Sequence, residues 1–251
     1  MSGTALAIAI SPTVTPFVAA ANPGPTPPAD RDLILWLMAD TDVYQDDGFT
    51  VPATTDSDPV GGWADQSGNA YPFINASPTA YLDTVGGIAC VSFYSDLTPG
   101  YLECADFLAP PGYSFAMLIF LTDTPTGTMD ILKDIAIGGD KQIERNDTPA
   151  LNWYNDVSHI PSSFTLTSGL LPASPVIVTG RTGQAQLNIN GSLADAESKT
   201  PNNSWNGLRL GGQAQLMLNT IYIGELLMWG VELTNDELDE AYAYLATKYA
   251  S

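Results

Sequence analysis

The chain has 251 residues, 45% of them hydrophobic, enough to bury a sizeable core and too apolar for wholesale disorder. Only 14% of residues are charged, yet 28 acids face 8 bases, a formal net charge of -20. Such a field repels nucleic-acid phosphates and anionic membranes and so excludes both as partners, while it suits divalent cations, basic protein surfaces and solubility.

Residues 1–31 read as an arm separate from the rest. Leu6, Ile8 and Ile10 alternate with alanines, a strand pattern of period two. Pro12, Pro16, Pro23, Pro25, Pro27 and Pro28 follow, making an extended, semi-rigid tether. A lone strand on such a tether must pack on its own domain or add to a neighbouring subunit, and the second use makes it an anchor. No basic residue precedes the apolar stretch, and Pro12 and Pro16 interrupt it, so Sec export is not expected. No apolar run reaches the roughly 18–20 residues of a bilayer span, so membrane insertion is not expected either.

From residue 32 onward the pattern is that of a globular all-β domain. An apolar run at 33–38 is followed by an acidic loop, 40–58. Further strands are expected at 88–93, 101–104, 114–122, 131–137, 141–145, 150–154, 163–166, 176–181, 208–210 and 220–229. Asn190-Gly191, between 184–189 and 192–194, is the strongest hairpin signal, because a type I′ turn needs two residues with positive φ. Many short strands without interleaved helices predict a two-sheet antiparallel jelly-roll sandwich. One helix is expected near the C-terminus. Thr234 and Glu237 form a capping box, and Leu238, Ala241, Tyr242, Leu245 and Tyr249 fall on one face, which would plug an edge or open end of the sandwich.

Cys90 and Cys104 would stand opposite each other if 91–93 and 101–103 formed a hairpin around 97–100. A bridge there is possible but strained, and two buried thiols, suited to a reducing cytoplasm, are expected instead.

Catalytic constellations are missing. His159 is the single histidine, which excludes multi-His metal sites, and no Gly-x-Ser-x-Gly elbow or phosphate loop occurs. Asp195 and Glu197 have no third carboxylate partner. Glu225 stands alone on an apolar strand and is expected to pair with Arg209 or Lys248. No cofactor is implied, save that Ca²⁺ has a candidate site. Asp40, Asp42 and Asp46 carry the oxygen chemistry it prefers, and Asp65 and Asn69 can add ligands from a second loop. Residues 65–69 can equally form an Asx-type turn that satisfies its own amides. For glycan binding the candidates are Trp153, Tyr154 and Asn155, and Trp205 among polar turn residues.

Taken in order, several blocks carry a resemblance: L-W-L-M-A-D at 35–40, W-A-D-Q-S-G-N at 63–69, V-S-F at 91–93, Asn190-Gly191, I-G-E-L at 223–226, and Glu237 through Tyr244-Leu245 to Lys248-Tyr249. Over residues 32–250 the chain resembles the laminin-G-like jelly-roll branch of the concanavalin A-like lectin/glucanase superfamily. The resemblance implies a lectin-like domain of the kind found in bacteriophage virion proteins and bacterial adhesins. The resulting expectation is a non-enzymatic virion protein, a capsid decoration or tail-fibre component made in the host cytoplasm. It would be held by residues 1–31 to other virion proteins, homo-oligomeric, and able to meet a host-surface glycan. The alternatives are a glycan-binding adhesin module, with or without Ca²⁺, and a glycoside hydrolase. The E-x-D-x-E triplet of the superfamily's glucanases does not occur on an apolar strand here.

Overall fold

A computed structural model describes residues 27, 31–75, 80–94, 100–121, 129–135, 142–145, 150–155, 158–165, 175–182, 186–195, 204–212 and 220–250. Of the arm only residues 27 and 31 are described, and Leu6, Ile8 and Ile10 lie outside the described residues. The strands in chain order are β1 (Leu33–Met38), β2 (Val43–Tyr44), β3 (Pro59–Val60), β4 (Gly62–Trp63), β5 (Phe73–Ile74), β6 (Ala80–Val85), β7 (Ile88–Tyr94), β8 (Tyr101–Ala109) and β9 (Ser114–Leu121). They continue as β10 (Met129–Asp134), β11 (Gln142–Arg145), β12 (Ala150–Asn155), β13 (Ser158–Thr165), β14 (Val176–Arg181), β15 (Gln186–Ile189), β16 (Ser192–Asp195), β17 (Trp205–Gly211) and β18 (Thr220–Trp229), and the helix α1 (Asn235–Lys248) follows.

Among the described residues these strands form two antiparallel sheets. One runs β16-β15-β14-β9-β18-β7-β6-β3, with β1 laid along the far half of β18, and the other runs β13-β12-β11-β10-β17-β8-β5-β4-β2. The molecule is therefore the expected sandwich with one C-terminal helix. Phe93, Phe115, Met117, Ile119, Ile223, Phe107, Leu208 and Leu210 fill the space between the sheets.

A second apolar layer explains why β9 is buried along its whole length. Its alternate residues Ala116, Leu118 and Phe120 point out of the sandwich and are covered by Leu238, Ala241, Tyr244 and Leu245 of α1. The helix thus roofs the outer face of the first sheet and does not plug an edge or end. Its buried tyrosine is Tyr244, while the expected Tyr242 and Tyr249 are half-buried against the same layer, Tyr242 lying beside Gly191. The capping box forms as expected, Thr234 Oγ1 accepting from the Glu237 amide and Glu237 accepting from the Thr234 amide at 2.8 Å. Arg181 fixes the same end by donating to the Leu233 carbonyl and to Asn235 Oδ1.

The other end of α1 closes on a buried carboxylate. A register shift at Gly224 turns Glu225 outward, towards the helix. Fully buried, it accepts from Trp36 Nε1 (2.7 Å), Tyr244 Oη (2.7 Å), Tyr249 Oη (2.6 Å) and Lys248 Nζ (2.8 Å). Lys248 is the expected partner, while Arg209 pairs with Glu103 on β8 instead. Burial, then the charge of Glu225, drives the Tyr244 and Tyr249 hydroxyls far above their ordinary range.

The cysteines are the two buried thiols expected. β7 and β8 belong to different sheets, so residues 91–93 and 101–103 form no hairpin, and Cys90 and Cys104 are separate buried thiols. The Asn190-Gly191 hairpin does form, with φ of 49° and 74° joining β15 to β16.

Candidate functional site

Around β1 the acidic residues divide into two groups. In the loop 63–69, Asp65 accepts from the amides of Trp36 (2.9 Å), Ser67 (2.8 Å) and Tyr71 (3.3 Å) and from Ser67 Oγ (2.8 Å). Asn69 Nδ2 donates to the carbonyls of Leu33 and Ile34, and the Gln66 amide donates to the Trp36 carbonyl. Trp63, buried, donates its indole N–H to the Met38 carbonyl. The block therefore hydrogen-bonds along the edge of β1 that β18 leaves open. It consumes groups that would otherwise template another strand.

The second group lines a cleft. Val43–Gln45 and Val51–Ala53 pair across the acidic loop, Gln45 N donating to the Val51 carbonyl and Ala53 N to that of Val43. This small ribbon crosses closely over Gly61 and Gly62, where a Cβ would come within 2.8 Å of backbone oxygens of Gln45 and Asp46. Glycine is needed there for that approach. Asp46 ties the turn by accepting from Thr50 and the Val51 amide, and these bonds, Thr50 first, hold its carboxyl below the usual carboxylate range. Asp58 does the same for the amides of Thr54 and Thr55.

Between ribbon and sheet opens a cavity of about 460 Å³. Ala39, Val43, Ala53, Leu82 and Ala89 give it an apolar floor, and Asp40, Thr41, Asp42, Tyr44 and Thr54 a polar rim. Asp42, in left-handed backbone (φ 53°), accepts from Tyr44 Oη (3.3 Å) and Gln66 Nε2 (3.0 Å). The Asp42 charge is the main cause raising the Tyr44 hydroxyl above its ordinary range, so that phenol stays a donor. Tyr44 is steadied by an edge-to-face contact with Phe49 at 5.3 Å. Asp40 takes the Thr41 hydroxyl and faces Lys248 Nζ at 3.9 Å.

The expected calcium ligands are thus separated by role. Asp40 and Asp42 share the cleft, Asp46 is spent on its turn, and Asp65 and Asn69 are spent on β1. Among the described residues no three His, Cys, Asp or Glu side chains gather to hold a metal ion. The expected exposed ring at Trp205 is also corrected. It is 1% exposed, opposite Ala109 in β17, and packs edge-to-face on Tyr113 at 5.5 Å, because the strand register turns it into the core despite its polar neighbours. Trp153, Tyr154 and Asn155 have their backbone in β12, but their side chains lie outside the described residues. Thr41, Tyr44 and Thr54 were not anticipated; single polar residues in an acidic loop carry no periodic signal.

No protein-family model and no curated protein sequence matches the chain. Solved structures do. The binding domain of Paraclostridial Mosquitocidal Protein 1 is similar over 85% of this chain and 52% of its own, at 13% identity and a TM-score of 0.63. The botulinum neurotoxin serotype G binding domain is similar over 86% and 52%, at 14% identity and a TM-score of 0.61. The binding domain of botulinum neurotoxin DC in complex with SialylT is similar over 88% and 52%, at 15% identity and a TM-score of 0.60. The chain spans about half the length of these domains. At such identity the likeness shows a shared fold.

Proposed function

We propose that the protein is a non-catalytic glycan-binding module and that its ligand enters the cleft between Ala39–Tyr44 and Pro52–Thr54. The observation that carries this is the cavity itself. Its volume of about 460 Å³ falls in the range of small-molecule sites, and it sets an apolar floor against a mixed rim of carboxylates, hydroxyls and one tyrosine. A sugar presents those two surfaces, C–H faces and hydroxyls. The similarity to receptor-binding domains, one of them in complex with SialylT, supports the same class of ligand. Asp40 and Asp42 are both exposed at this rim.

A glycan array with the intact chain, followed by titration of Asp42→Ala and Tyr44→Ala, tests the reading. Binding that both substitutions weaken is expected, and an array silent across neutral and charged sugars would sink it. Display on a bacteriophage virion is a second reading, favoured by the period-two segment with Leu6, Ile8 and Ile10 and the prolines after it. Deleting residues 1–31 is expected to abolish incorporation into particles and leave a folded domain.

A further inference from the structure

The helix roofs only part of the outer face of its sheet. Among the described residues it packs mainly on β14, β9 and the Glu225–Trp229 half of β18, and the same apolar layer runs on to Ile88 and Cys90 of β7, with Tyr222 packed at its border. At the opposite end of β18 the same face carries three tyrosines. Tyr222, Ser92 and Tyr81 stand in register across β18, β7 and β6, and Tyr94 follows two residues beyond Ser92 on the same side of the sheet. Ile221, Phe93, Ala80 and Leu82 point the other way, into the core. Ser92 is fully buried beneath the rings and anchors the row by donating to the Tyr81 carbonyl at 3.1 Å.

The rings are set as a corner. Tyr81 and Tyr94 meet at 5.7 Å with an interplanar angle of 72°, one a floor and the other a wall. Tyr94, 38% exposed, donates to Asp83 Oδ2 at 3.3 Å, and Tyr222 stands on the neighbouring strand, on the same face. Burial, then the neighbouring Tyr94 and Asp83, pushes Tyr222 up to about 12, so this hydroxyl stays protonated at any physiological pH.

We propose that this part of the face, which the helix does not roof, is a second saccharide subsite, where Tyr81, Tyr94 and Tyr222 hold a neutral sugar beside Asp83. It rests on the glycan-binding reading but uses none of the residues of the cleft. Rigid aromatic rings bind C–H faces at little entropic cost. The phenols both donate and accept, as sugar hydroxyls do, whereas an ammonium or guanidinium only donates. Asp83 and the net charge of -20 oppose an anionic ligand.

The intact chain, a Tyr81→Ala/Tyr94→Ala variant and an Asp42→Ala/Tyr44→Ala variant are compared on an array of neutral, amino and sialylated oligosaccharides, with poly-lysine as the basic probe. Hits are titrated by calorimetry, and thermal melts confirm folding. Two sites per chain are expected for neutral sugars, each double variant keeping one, with at least about tenfold weaker binding at the altered site. If the tyrosine variant melts early, Tyr94→Phe, which removes one hydroxyl, is expected to weaken the same site. Unchanged sugar binding in the tyrosine variants overturns the subsite and leaves the cleft standing. Sugar silence of the intact chain overturns both, and poly-lysine captured through the tyrosines in place of sugars makes the patch a protein-docking surface instead.

Discussion

The turn at residues 63–69 and the turn at residues 40–42 both set aspartates beside β1, and they differ in what those carboxylates hold. Asp65 takes three backbone amides and a hydroxyl, all from its own loop and from β1. Asp42 takes two side chains at the surface and stands over an apolar floor. Acid content alone does not separate a brace from a binding rim; the identity of the donors does. Backbone donors mark a carboxylate that the fold requires, and a solvent-facing rim marks one that a ligand can use.

Glu225 braces by a different route, full burial among four side-chain donors, and gives the largest expected effect. Glu225→Ala leaves Lys248 and two phenols without their acceptor and should cost about 3–5 kcal/mol in urea unfolding, as for other broken buried pairs. Asp65→Ala strips the edge of β1 and should cost about 1–3 kcal/mol. A cost below that of Asp42→Ala would break the comparison. Thr234→Ala removes only a helix cap and should cost about 1 kcal/mol. Asp42→Ala should move stability by no more than about 0.5 kcal/mol while weakening glycan binding.

Alkali sharpens the same contrast. Tyr222, Tyr244 and Tyr249 have hydroxyls raised above 10.0 in the folded chain, so between pH 10 and about 12 the unfolded state loses protons that the folded state keeps. Stability is therefore complete below pH 10 and falls as pH rises through that window. Unfolding midpoints measured across it should decline, and Tyr249→Phe should decline less.

Much of the fold is legible in the residues. β1, β14 and β18 have the expected bounds, because each is an apolar-rich run of strand length whose residues are all buried or half-buried. The helix cap and the Asn-Gly hairpin are local chemistry and read directly. β2 to β5 are two residues each, too short for any period, and β6 mixes Tyr81, Asp83 and Thr84 into a weak alternation. The passage from β7 to β8 carries the same turn signal whether it stays in one sheet or changes sheets, so a hairpin there is open in the residues and only the fold decides against it. Of the site, Asp40 and Asp42 are visible as an acidic loop. Their separation from Asp65 is not, since it depends on which backbone amides each carboxylate meets.

The burial of both sulfurs has a practical consequence. Cys90, raised to about 12 by burial and then Asp83, and Cys104, 3% exposed, are shielded from alkylating reagents while the chain is folded. Leu193→Cys, on the edge strand β16 at a position 63% exposed, then gives a singly addressable handle for a fluorophore, far from the residues of the proposed cleft in sequence and on a different strand.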